Sequence, residues 1–169
     1  MKKTVIAIAL FAIGSLTSGC NSNIIEDSED NTTTDFTNTS PLTVMNQEGT
    51  KVYYEGSITV SGKYQEYTPD SFMGGTLCFY PDDTTKYLIP RSDEDRRKAW
   101  FCFEDQESAK ELLGINDAEI FDDTTIECIE GLATIVVSDY TVDLLEAAVF
   151  DTANLGNIVS KEFYSTTCK

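Results

Sequence analysis

Apolar and polar residues alternate along most of this chain from residue 52 onward, and a period of two is the signature of strands with one buried face. Over 52–67 the apolar phase runs through Ile58, Val60 and Tyr64, with Gly56 and Gly62 as candidate bulge points in one long strand. Gly74-Gly75 opens a second strand over 76–80, which Pro81-Asp82-Asp83 closes, and 99–104 reads as a third. The period then changes. Over 107–113, Ala109, Leu112 and Leu113 share one helical face and Gly114 supplies the stop, so this stretch predicts a helix. Residues 117–125 read as loop, and 132–142 and 147–159 as two more strands. The expectation is one β-rich domain over 51–169, large enough to bury about two-thirds of its unfolded surface.

The first fifty residues follow neither period. Lys2 and Lys3 precede an apolar run over 5–13, and then comes Leu16-Thr17-Ser18-Gly19-Cys20. A positive start, an apolar segment too short to span a bilayer comfortably, and small residues at the processing point make a secretory signal. Ending on a cysteine, it resembles the lipobox signal of bacterial lipoproteins, although Thr17 stands where that family usually has Leu and Leu16 lies one place earlier. The resemblance implies that 1–19 are removed and that Cys20 carries several acyl chains, palmitate among them. More than one chain is what stable anchoring requires. Asn21 stands where an Asp would retain a Gram-negative lipoprotein in the inner membrane, which directs the expectation to a lipid-anchored place on the outer membrane. Residues 20–50, rich in Asn, Thr, Ser, Asp and Glu, read as a disordered polar tether with a typical end-to-end distance of about 30 Å.

Three strands, a helix and two strands, with a long glycine-punctuated first strand, resemble the OB-fold, a small five-stranded Greek-key barrel. Secreted, anticodon-binding-like OB proteins are similar in the phrases Tyr54-Glu55-Gly56-Ser57-Ile58-Thr59-Val60-Ser61-Gly62 and Trp100-Phe101-Cys102-Phe103 before the helix. Another small β barrel or a β-sandwich is the competing architecture.

Four cysteines remain after Cys20: Cys78, Cys102, Cys128 and Cys168. An even number in an exported chain points to two disulfides, with three possible pairings. Strand phase favours one of them. If Leu77 and Phe79 face the core, and Phe101 and Phe103 do too, Cys78 and Cys102 share the opposite face of neighbouring strands, leaving Cys128 for Cys168.

The chain has no histidine, so Ser-His-Asp and Cys-His catalysis is excluded, and the absence of Cys-x-x-Cys argues against zinc. Asp82-Asp83, Asp93-Glu94-Asp95, Glu104-Asp105 and Asp122-Asp123 fall at predicted turns, where solvated loop charge competes with a carboxylate-dependent hydrolase or a calcium site. No catalytic residue, metal site or cofactor is assigned. Losing Lys2 and Lys3 with the signal leaves ten basic residues against 29 acidic ones, a formal charge of −19, which repels phosphate backbones and excludes nucleic acid as a partner.

Two constellations remain for binding. Arg91, Arg96, Arg97 and Lys98 gather just before Trp100, either as an anion or partner contact or as internal ion pairs with Asp93, Glu94 and Asp95. Tyr64 and other tyrosines join Trp100 as aromatics that stack ligands or pack across strands. The expected function is a membrane-anchored, non-enzymatic binding or assembly domain facing the periplasm or exterior, with a saccharide or a cationic envelope protein as partner. An inhibitor of a cationic enzyme such as lysozyme is the alternative, since Ser61-Gly62-Lys63-Tyr64 is similar to a short loop motif of periplasmic lysozyme inhibitors. A fatty-acid probe is expected to label the wild-type chain and not Cys20→Ser; equal labelling of both would refute the anchor.

Overall fold

Alternation becomes pairing in seven strands: β1 (Thr43–Glu48), β2 (Lys51–Glu55), β3 (Ser57–Tyr67), β4 (Cys78–Pro81), β5 (Phe101–Phe103), β6 (Cys128–Asp143) and β7 (Asp151–Lys161). Two helices, α1 (Gln106–Leu113) and α2 (Asp117–Ile120), lie between β5 and β6. The computed structural model describes residues 40–91, 95–123, 125–145 and 150–168, all within one compact unit. Cys20, the expected signal and residues 20–39 of the expected tether lie outside them.

The longest strand organises the sheet. One edge of β6 pairs antiparallel with β3 and then with β2, and its other edge pairs with β7. β3 pairs with β4, β4 with β5, and β5 runs parallel to β7, so the pairings β3-β4-β5-β7-β6 return to β3 as a ring. The ring is thinly laddered at β5, a strand of three residues. Instead of the expected five strands there are seven among the described residues, because the first long strand breaks at Gly56 (φ 103°) and β1 adds to the outer edge of β2. β1 also lies inside the stretch expected to be tether. Every one of its residues is exposed, so no apolar alternation announced it.

The core fills the ring from Ile58, Val60 and Tyr64 on β3, Leu77 and Phe79 near β4, Phe101 and Phe103 on β5, and Ile129, Ile135 and Val137 on β6. The inward phase of β6 slips from Val137 to Tyr140. Asp139 sits between them at φ 51°, a conformation that Asp tolerates better than most residues, and the pairing with β7 is irregular there, as at a bulge. Gly62, expected as a bulge point, keeps unbroken register with Pro81 and Ala133. It is small for another reason: a Cβ there would drive into the Tyr80 carbonyl and the Pro81 Cα.

Asp105 caps α1 by accepting the Ser108 amide at 3.0 Å, and Gly114 at φ 73° ends it. Lys161 of β7 donates to the last carbonyls, Leu112 at 3.1 Å and Leu113 at 2.8 Å, which holds the helix against the ring. Ala109 and Leu113 face inward, but Leu112 is exposed, contrary to the expected face. The stretch expected as loop at 117–125 begins with the single turn of α2. Two disulfides, Cys78–Cys102 and Cys128–Cys168, join register partners of β4 and β5 and tie the tail to the start of β6.

Gly62→Ala is expected to lower unfolding stability by about 1–3 kcal/mol through backbone displacement. Gly156→Ala, whose Cβ would meet nothing closer than the Val136 carbonyl at 3.4 Å, should stay within about 0.5 kcal/mol. Urea midpoints compare the two, and equal midpoints would refute the close-approach account.

Candidate functional site: a basic groove beside an aromatic row

The connection from β4 to β5 is long, and its first part is stapled to the sheet. The Asp82 carboxylate accepts the Thr84 hydroxyl at 2.7 Å and the amides of Thr84 and Thr85, both at 3.0 Å, and the hydroxyl bond above all holds its pKa below the usual carboxylate range. The Thr85 hydroxyl donates to the Ser61 carbonyl at 2.9 Å and accepts the Ser61 amide at 3.1 Å, so the turn is anchored on β3.

Buried charge anchors the second part. Asp151, 1 % exposed at the start of β7, takes Arg91 as an ion-pair partner and accepts the Tyr140 hydroxyl at 2.9 Å. Arg97 Nη2 lies 3.5 Å from its other oxygen. Desolvation raises the Asp151 pKa, and Arg91 opposes that rise. Asp95 bridges both arginines, accepting Arg97 Nε at 3.0 Å and Nη2 at 2.8 Å while Arg91 Nε lies 3.7 Å away. The Arg97 hydrogen bond lowers the Asp95 pKa to about 2. Two cations and two carboxylates thus neutralise one another at the base of the loop.

Four side chains form a row on the outer face. Lys63 of β3 lies 5.8 Å from the Tyr80 ring centroid, Tyr80 of β4 stacks on Trp100 at 5.2 Å with planes 5° apart, and Phe150 meets Trp100 edge-on at 5.8 Å. Beside this row opens a groove of about 900 Å³, lined by Tyr80, Trp100, Lys86, Arg96, Arg97 and Lys98 among others. Lys86 is paired with Asp83 at 2.6 Å. Arg96 and Lys98 are exposed, and neither has a charged partner among the described residues.

Of the residues expected to bind, Arg96, Arg97, Lys98 and Trp100 therefore come together in one groove. Tyr64 does not. It is fully buried beneath the sheet, its ring fills the space over Gly131, and burial pushes its pKa up to about 12. Ser61-Gly62-Lys63-Tyr64 lies in the middle of β3, paired on both sides, and not in the loop that the inhibitor likeness requires. Asp93 and Glu94 are outside the described residues.

Two carboxylates are fully buried among the described residues, Asp151 and Glu66. Glu66 meets Lys110 Nζ at 2.6 Å, and Lys110 also reaches Asp117 at 2.7 Å. Glu66 pairs with Ile129 at one end of β6, whereas Thr152, next to Asp151, pairs with Thr141 at the other. They do not converge on a cleft as a carboxylate hydrolase would need. The turn acids have local duties: Asp82 and Asp123 hold their own turns and Asp105 caps α1. Among the described residues no three Asp, Glu, Cys or His side chains are grouped to hold a metal ion.

Asp151, Tyr140 and Phe150 are the members of this site that sequence reasoning missed. The one available signal was Phe150-Asp151, an aromatic and an acid opening a strand on the thinly laddered side of the ring. No protein-family model matches the chain, and neither a curated protein nor a solved structure shows significant similarity to it.

Because the folded pKa of Asp95 lies below its ordinary 3.8, its contribution of about 2 kcal/mol is present above pH 4 and is lost as pH falls toward 2. Carboxyl NMR titration should find its midpoint near 2 in the wild type and well above that in Arg97→Gln. An unmoved midpoint would show that Arg97 does not hold this carboxylate.

Proposed function

We propose that this chain is a lipoprotein of the bacterial envelope, anchored through acyl chains on Cys20 and probing its surroundings with a non-enzymatic binding domain. The signal and lipobox support the anchor. The ring of β3, β4, β5, β6 and β7, with α1 between its third and fourth strands in chain order, supports the OB-like reading. β2 then continues the first ring strand beyond Gly56, and β1 is an addition at the edge.

One observation carries the binding assignment: the groove is lined by Tyr80 and Pro81 at the end of β4 and by the connection that reaches Trp100 just before β5, and Trp100 meets Phe150 in the connection from β6 to β7. In OB barrels the face of the second and third strands and the loop between the fourth and fifth take oligonucleotides and oligosaccharides; this groove borders the first at Tyr80 and the second where Trp100 meets Phe150. A groove of about 900 Å³ is within the range that holds a small organic ligand. Its positive lining turns away a cationic protein at this face, and the charge of the whole chain turns away nucleic acid. A saccharide is the partner that remains from those the composition suggested. The ladder of rings gives it a rigid aromatic wall, and the disulfide between β4 and β5 fixes the strands that carry that wall.

Wild-type protein is expected to be retained by envelope polysaccharide, with binding weakened about tenfold or more in Trp100→Ala under conditions where circular dichroism shows the variant still folded. Retention that Trp100→Ala leaves intact would refute the groove as the ligand face. Cleavage of the bound polymer would refute the non-enzymatic reading.

A further inference from the structure

In a chain with 29 acidic and 12 basic residues, an unpaired cation is the exception that needs a reason. Nearly every described cation has a local use. Lys63 is held by Glu130 at 3.0 Å, Lys86 by Asp83, and Lys110 by Glu66 and Asp117. Lys161 is spent on helix carbonyls, Arg91 and Arg97 on Asp95 and Asp151, and Lys51 faces Asp143 across β2 and β6. Arg96 and Lys98 stand apart. They flank Arg97, whose carboxylate contacts lock the backbone between them, and both line the groove beside Trp100.

From these two cations, unpaired among the described residues, we infer that the ligand of the groove is an acidic saccharide, bound through sugar carboxylates on Arg96 and Lys98; this rests on the binding function proposed above. The guanidinium of Arg96 presents a planar fork that suits a carboxylate, and Lys98 adds a point charge next to it. The Arg97–Asp95 pair holds the backbone from which both side chains project, which lowers the ordering that binding requires. The aromatic row supplies apolar ring surface for the CH faces of a sugar. The charge of the whole domain opposes every long polyanion, so the ligand that fits is a short saccharide that brings one or two carboxylates to the two cations. At the groove Asp83 is paired with Lys86 and Asp95 with Arg97, and acids farther away are screened beyond about 8 Å at physiological salt.

The test uses the full lipoprotein in detergent, with its only tryptophan, Trp100, as the reporter of groove occupancy. Titration with a short oligogalacturonate should change Trp100 emission saturably, and the matching neutral oligogalactoside should bind about tenfold more weakly or not at all. The double variant Arg96→Gln/Lys98→Gln should lose about tenfold in affinity for the oligogalacturonate while keeping the wild-type urea midpoint. If the neutral sugar binds as tightly and the double variant is unaffected, the acidic class is overturned and the saccharide-binding reading survives. If a single-stranded oligonucleotide or a polyglutamate peptide occupies the groove more tightly than the sugar, the saccharide class itself is overturned. A flat response to every probe, with envelope polysaccharide not retained, overturns both readings together.

Discussion

A carboxylate taken out of water must meet a cation or give up its charge, and Asp151 is almost completely buried where β7 begins its parallel pairing with β5. Its needs dictate what surrounds it. Arg91 must come in from the β4–β5 connection, and the Tyr140 hydroxyl must reach across from β6. Removing one partner from such a buried pair typically costs about 3–5 kcal/mol, because the other charge is left behind. That is a large share of the roughly 5–15 kcal/mol by which a domain is stable. The loop that frames the groove is therefore held by the same interaction that satisfies the thin side of the ring.

The sequence neighbours of this pairing point the other way. Phe101 pairs with Asp151 inside the ring, so Trp100 and Phe150, each one residue earlier, meet on the outside. The aromatic row continues through Tyr80, the neighbour of Phe79 that pairs with Phe101, to Lys63 across β3. Inner residues close the ring and outer residues build the wall of the groove. A change in register at β5 would move both together, since a shift of one residue exchanges the faces of a strand.

Much of this was legible in the alternation. Strand phase put Cys78 and Cys102 on one face, where they are bonded, and the periodic run ending at Gly114 marked α1. β1 was illegible because pairing to β2 makes it a strand while none of its side chains is buried, and composition records burial, not hydrogen bonding. Tyr64 was ambiguous as an aromatic in phase with Ile58 and Val60; only the glycine opposite it, Gly131, shows why its ring lies flat in the core. The same phase carries Glu66 inward. A sequence reading that assigns acids to solvated loops misses it, although Lys110, next to the buried Ala109, was the cation available to meet it. The basic segment before Trp100 was visible as a cluster. Its division into Arg91 and Arg97, which hold the loop, and Arg96 and Lys98, which have no charged partner among the described residues, depends on Asp151, and that residue is more than fifty positions away in the chain.

That division also reconciles a strongly acidic protein with an anion-binding groove. Net charge acts on encounter: the field of the whole domain discourages polyanions from approaching and keeps the protein soluble. Occupancy is decided at short range, where the nearby acids are already paired, Asp83 with Lys86 and Asp95 with Arg97, and the more distant ones are screened, so two cations beside an aromatic wall set the local charge. Were Arg91 and Arg97 also free, the groove would be a general polyanion trap. Spending them on Asp95 and Asp151 leaves two positive charges in the groove, enough for the one or two carboxylates of a short ligand and too few for a long polyanion of any kind. The buried carboxylate that holds the loop in place thus also limits the charge that the groove presents, and with it the ligands that the groove accepts.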